Sequence, residues 1–123
     1  MKPNKQNFSV SLFNAFEGLY YFFKNERNGQ IQLLILLLTM SLGFYFCITR
    51  SEWLSVIVCF ALVLSLEMIN TAIEKLSDMV EPNLNPHIKI IKDVTAGAVF
   101  WASFICVIVG AVIFIPKIKQ LLT

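Results

Sequence analysis

Apolar and polar residues alternate along this chain in four successive patterns, and each pattern predicts a helix. In "FSVSLFNAFEGLYYFFK" (8–24), Leu12, Phe16, Leu19, Tyr20 and Phe23 recur at helical spacing, while Asn14, Glu17, Tyr21 and Lys24 form a second face. That division predicts an amphipathic helix lying in a membrane interface. The plainer alternative is a surface helix packed on a bundle. From Asn28 to Thr49 no charge interrupts the chain, a run longer than the roughly 20 residues a spanning helix needs. A second span is expected over 53–81. It is apolar from Trp53 to Leu66, carries a polar stripe beyond that, and is stopped by Pro82, which pushes the preceding residue out of the helical region. The third, over 86–116, follows a tight turn in which Asn85 is the expected N-cap and Pro86 the first helical residue.

Composition supports a membrane setting. Of 123 residues, 57% are hydrophobic and only 15% are charged, with a mean hydropathy of +0.71, so a water-soluble core could not cover the apolar surface. The expected fold is all-α, a single domain over 1–123 with three transmembrane helices behind an interfacial one. Lys2, Lys5, Lys24, Arg27, Lys75, Lys89 and Lys92 fall on one side of the spans, against Arg50, Lys117 and Lys119 on the other. The positive-inside rule then puts the N-terminus and the 82–85 turn in the cytoplasm and the C-terminus outside. No cleavable signal peptide is expected. The net charge of +2 says little about partners, and no nucleic acid is expected among them. Cys47, Cys59 and Cys106 lie in apolar runs without C-x-x-C spacing and read as packing residues. His87 reads as a solvated turn residue.

The second span contains the chemistry. In "SLEMINTAIEKLSD" (65–78), steps of three, four and four residues keep Glu67, Asn70, Glu74 and Asp78 on one helical face. Glu67 lies about 21 Å along the axis from Trp53, inside the cytoplasmic part of a core about 30 Å thick. Ionisable groups at that depth are costly and usually serve a function, facing a bundle interior or a wet cavity. A stripe of interhelical hydrogen bonds would account for Asn70 alone but poorly for three carboxylates. Across the turn, Lys92 and Asp93 reach a depth similar to that of Glu74, so Lys92 can face the stripe.

Carboxylates, an Asn and a Lys at a membrane–cytosol boundary fit phosphoryl transfer. Mg²⁺ is typically held by one or two carboxylates plus nucleotide phosphates. The remaining needs are positioning, a cation for the phosphates and a group that takes the acceptor's proton. The depth of Glu67 suits a general base acting on a lipid hydroxyl. The five glycines form neither a P-loop, a G-x-G-x-x-G fingerprint nor a protein-kinase loop, so any ATP site follows another design.

"EMINTAIEKLSD", "KDVTAGAV" and "NAFEGLYYFFKNERN" together resemble the small bacterial integral-membrane lipid kinases of the diacylglycerol kinase and undecaprenol kinase family, over nearly the whole chain. The resemblance implies a homotrimer in the bacterial cytoplasmic membrane, with sites shared between subunits near the cytoplasmic face. It implies Glu67 as general base in contact with the lipid alcohol, and Glu26 with Glu74 as Mg²⁺ ligands. It also implies Asn70, Lys92 and Asp93 near the nucleotide phosphates, Asp78, Asn83 and Asn85 nearer the nucleoside, and Asn14 as a further ATP contact. Gln30 and Gln32 replace the basic or His side chains of many undecaprenol-type relatives. Ala96, Ser103 and Gly110 recur every seven residues in the third span as a small-residue seam suited to helix approach.

The leading expectation is therefore an ATP- and Mg²⁺-dependent kinase acting on undecaprenol or diacylglycerol, with the 14–28 segment closer to the undecaprenol type. The competing class is a small proton- or cation-coupled transporter or channel subunit, which explains the acidic stripe but gives Glu26, Asn70, Lys92 and Asp93 no shared purpose. A purely structural helical bundle is the third reading.

Overall fold

The computed structural model describes residues 7–123, and these are all-helical apart from short connections. Lys2 and Lys5, which contribute to the charge bias, lie outside the described residues. The elements are α1 (Phe8–Asn25), α2 (Arg27–Tyr45), α3 (Arg50–Val80) and α4 (Pro86–Leu122). Helices α2, α3 and α4 are each long and apolar enough to cross a membrane. Most of their large apolar side chains are exposed, as expected of helices that face lipid or other helices rather than water.

Helix α1 ends at Glu26, whose backbone is extended (φ −100°, ψ 115°), so α2 leaves at an angle instead of continuing. The last-turn carbonyls Phe22 O, Phe23 O and Lys24 O all find donors, and so does Tyr21 O just before them. Asn25 Nδ2 donates to Tyr21 O, the Glu26 N–H to Phe22 O, and Gln30 Nε2 to both Phe23 O and Lys24 O. Gln30 thus finishes α1 from the first turn of α2. Gly29 makes that corner possible, because a Cβ there would lie 2.5 Å from Cε1 of the buried Phe22 ring.

Helix α2 ends at Tyr45, short of the charge-free limit at Thr49. The chain turns through Cys47, a non-glycine residue at φ 50°. The apolar run outlasts the helix because α3 needs an N-terminus. Thr49 Oγ1 accepts from the Glu52 N–H at 3.2 Å, and the Glu52 carboxylate accepts from the Thr49 N–H at 3.1 Å, forming a capping box. This starts α3 at Arg50, ahead of Trp53. Cys47, read from the sequence as a packing residue, is exposed in this turn; Cys59 and Cys106 are half-buried. Gly43 receives the Trp53 indole, since a Cβ there would meet Cη2 at 2.7 Å.

At the other end of α3, Asn85 Oδ1 caps α4 by accepting from the His87 and Ile88 N–H groups, with Pro86 in the first turn. Helix α4 continues through Pro116 to Leu122, past the expected end at 116. Proline removes one backbone donor and crowds the preceding turn. Here the helix is held on both sides of it: Ile113 and Phe114 are buried with Ile48 and Val56, and Lys117 pairs with Glu52 at 3.1 Å. Helices α3 and α4 form the main packed pair, with α2 alongside α3.

Replacing Gly29 with Ala forces the Phe22 ring to move, and overpacking of this kind costs about 1–3 kcal/mol. Gly29→Ala should unfold at lower denaturant than wild type, with helix content followed by circular dichroism in detergent, and Phe22→Leu should restore part of the loss. A Gly29→Ala variant as stable as wild type would contradict the close α1–α2 corner.

Candidate functional site

The polar stripe lies where α2, α3 and the start of α4 come together. Its four members follow the course of α3 from interior to edge. Glu67 is only 4% exposed and Asn70 is buried, whereas Glu74 is half-buried. Asp78 is exposed. Thr71 and Ser77 are also buried along this stretch. Glu67 accepts a hydrogen bond from Asn28 Nδ2 on α2 at 3.1 Å. Asn70 Nδ2 lies 3.4 Å from Glu74 Oε1, one turn further along. Its amide oxygen is buried with no hydrogen-bond partner, an unusual position that leaves an acceptor oxygen uncommitted beside the Glu74 carboxylate.

Glu26 comes to the same region from the α1–α2 corner. Its Oε1 lies 3.8 Å from the ammonium of Lys75, the residue after Glu74. Lys75 also stands 5.3 Å from the centroid of the Tyr21 ring. Among the described residues no three His, Cys, Asp or Glu side chains group as a metal cage. The Glu74 carboxylate beside the uncommitted amide oxygen of Asn70, with a second carboxylate at Glu26 on the neighbouring corner, is the kind of oxygen donor set that suits Mg²⁺, a hard cation that completes its shell with phosphates and water.

The remaining expected residues are spread over the end of the bundle at the α3–α4 turn. Lys92 pairs with Asp78 at the outer end of the stripe. Lys92 thus meets the stripe at its last member, Asp78, because a lysine stem can carry its ammonium toward the end of the helix. Asp93 pairs with Lys89 on its own helix. Asn83 lies in the turn, where its backbone N–H donates to Glu81, and the side-chain oxygen of Asn85 is used in capping α4. Asn14 lies on the exposed length of α1. The structure therefore brings Glu67, Asn70 and Glu74 together with Glu26 nearby, and pairs Asp78 with Lys92. Asn83, Asn85 and Asp93 belong to the α3–α4 turn and the start of α4.

Two participants were not singled out from the sequence. Asn28 is the donor to Glu67, and Lys75 is the cation beside Glu26. For Asn28 a signal existed, because Asn28 and Gln32 are spaced i, i+4 and share a face of an otherwise apolar helix. Gln32 lines a cavity of about 300 Å³ between α2, α3 and α4, and its amide oxygen is buried without a partner. Ser103 and Gly110, two residues of the small-residue seam, line the same cavity. A Cβ at Gly110 would meet nothing within 4 Å.

Comparison with known proteins agrees with this arrangement. A family model described as "Prokaryotic diacylglycerol kinase" matches residues 13–114, a stretch that includes every stripe residue, Glu26 and Lys92. The chain is 32% identical over 111 residues to the undecaprenol kinase of Bacillus subtilis (strain 168), covering 90% of each chain. It is also 32% identical over 119 residues to a diacylglycerol kinase of Synechocystis sp., covering 94% of this chain and 67% of that one. With the family match spanning most of its length and both relatives aligned through the α3 stripe, the chain belongs to the prokaryotic diacylglycerol kinase family.

Proposed function

We propose that this protein transfers the γ-phosphoryl group of ATP, with Mg²⁺, to the hydroxyl of a membrane lipid alcohol at the cytoplasmic face of the bacterial cytoplasmic membrane. The observation that carries the reading is the Glu67 carboxylate, buried at 4% exposure in a helix fit to span a membrane and held by Asn28. Membership of a lipid kinase family decides against the cation-transport reading, which left Glu26, Asn70 and Lys92 without a joint role.

Glu67 acts as general base. Asn28 donates to Oε1 and fixes the carboxylate, so the second oxygen takes the proton from the lipid hydroxyl as that oxygen attacks phosphorus. Glu26 and Glu74, with the amide oxygen of Asn70, are the groups that would hold Mg²⁺, which supplies positive charge to the phosphate oxygens. Lys92 contributes a further cation at the phosphate end, with Asp93 beside it. Asp78, Asn83 and Asn85 lie toward the nucleoside, and Asn14 contributes from α1. A homotrimer with sites completed between copies is part of the same proposal. It is supported by the large apolar surface of α2–α4 and by the open cavity beside Ser103 and Gly110.

Undecaprenol is the favoured acceptor over diacylglycerol. The alignment to the undecaprenol kinase covers 90% of both chains, and "NAFEGLYYFFKNERN" has that character. Purified protein in mild detergent should transfer labelled phosphate from γ-labelled ATP to undecaprenol in a Mg²⁺-dependent manner, and more slowly to diacylglycerol. Faster turnover of diacylglycerol would reverse the preference, and no transfer to either lipid from folded protein would contradict the proposal.

Asn28→Ala removes a hydrogen bond to a charged group, an interaction worth about 1.5–3 kcal/mol. Turnover should fall by about ten- to a hundredfold at saturating ATP, with the KM for ATP little changed. Full turnover in Asn28→Ala would show that Asn28 does not orient the base.

A further inference from the structure

Lys75 is a basic residue that the phosphoryl-transfer scheme does not use, yet it contacts one of the two carboxylates assigned to the metal. Its ammonium lies 3.8 Å from Glu26 Oε1 and 5.3 Å from the centre of the Tyr21 ring, so groups from α1 and from the α1–α2 corner both engage a residue of α3. Lys75 directly follows Glu74 in the chain. The charge on Glu26 is therefore already balanced from within the protein, by a cation tethered next to the other proposed metal ligand.

We propose that Lys75 is an internal counter-cation for Glu26 that a divalent cation must displace, so that Lys75 sets how much divalent metal this protein needs. The inference rests on the reading of Glu26 and Glu74 as metal ligands. An ammonium and a divalent ion that share one carboxylate repel each other across a few ångströms. Metal entry thus requires Lys75 to leave Glu26. The displaced side chain has a place to go, because half of it is exposed and its ammonium already stands 5.3 Å from the centre of the Tyr21 ring. In the metal-free protein the same contact ties α3 to the corner from which Glu26 projects. This limits the freedom of a carboxylate that would otherwise carry an unbalanced charge at the edge of the bundle.

Exposed ion pairs are worth little individually, so the expected effect is a change of about two- to fivefold in metal affinity. Mn²⁺ serves as a paramagnetic probe, and its binding to the purified full-length protein can be followed by electron paramagnetic resonance with a non-hydrolysable ATP analogue present. Lys75→Met keeps an unbranched side chain of similar length and removes the charge, and should bind Mn²⁺ about two- to fivefold more tightly than wild type. Lys75→Arg should stay near wild type. Glu26→Gln should weaken Mn²⁺ binding, and adding Lys75→Met to it should bring no further gain. Unchanged or weaker Mn²⁺ binding in Lys75→Met, with Glu26→Gln still weakened, would overturn the counter-cation role and leave the ligand assignment standing. Unchanged binding in Glu26→Gln would overturn the ligand assignment itself. Circular dichroism and Lys75→Gln as a second neutral variant guard against a folding defect.

Discussion

A carboxylate set inside an apolar helical array must have its oxygens met by donors, because water is not there to do it. Glu67 sets this constraint, and the arrangement of α2 against α3 answers it: Asn28 sits at the start of α2, within 3.1 Å of Glu67 Oε1. For Asn28 to be there, α2 must begin beside the middle of α3. That requires the sharp corner at Glu26, and the corner in turn depends on the close approach of Phe22 to Gly29 and on Gln30 closing the end of α1. The same corner projects Glu26 toward Lys75 and the Glu74 end of the stripe. One buried acid thus fixes the relative placement of three helices and of a second carboxylate.

The two ends of α3 are secured differently. At the Arg50 end, Glu52 both caps α3 and pairs with Lys117 of α4, and the aromatic side chains of Phe46, Trp53 and Phe114 pack nearby. At the Val80 end the charged pairs are more exposed: Lys92 with Asp78, and Lys89 with Asp93. Exposed pairs contribute little stability and exchange partners readily. A stapled apolar end and a loosely paired charged end suit the proposed role, in which the helices stay in register while a nucleotide enters at one face. The half-open cavity between α2, α3 and α4 lies between these ends, with Gln32 on its wall.

Much of this was legible in the sequence, and the reasons differ by feature. The helices showed because helical periodicity and uninterrupted apolar length are local properties, and the Glu67, Asn70, Glu74 stripe showed because three- and four-residue steps on a helix define a face. Helix α3 starts ahead of the expected 53 because the charge-free run begins at Trp53, whereas Thr49 and Glu52 form a capping box that starts the helix at Arg50. Helix α4 outran Pro116 because burial of Phe114 and the Lys117–Glu52 pair are tertiary contacts between segments distant in sequence. Lys92 facing the stripe was legible from axial depth, but which carboxylate it pairs with was not, since depth does not fix where a flexible stem places its charge. Asn28 and Lys75 were hidden because each matters only through a neighbour on another helix, Glu67 in one case and Glu26 in the other.

The central claim is that Glu67 takes the proton from the acceptor hydroxyl, and its most direct test separates chemistry from binding in Glu67→Gln. Single-turnover transfer of labelled phosphate to the lipid alcohol should fall by several orders of magnitude, while Mg²⁺–ATP binding, measured on the same preparation by isothermal titration calorimetry, stays within a few-fold of wild type. Transfer retained at near wild-type rate would contradict the account. Loss of nucleotide binding along with transfer would also contradict it, because Glu67 would then belong to the ATP site.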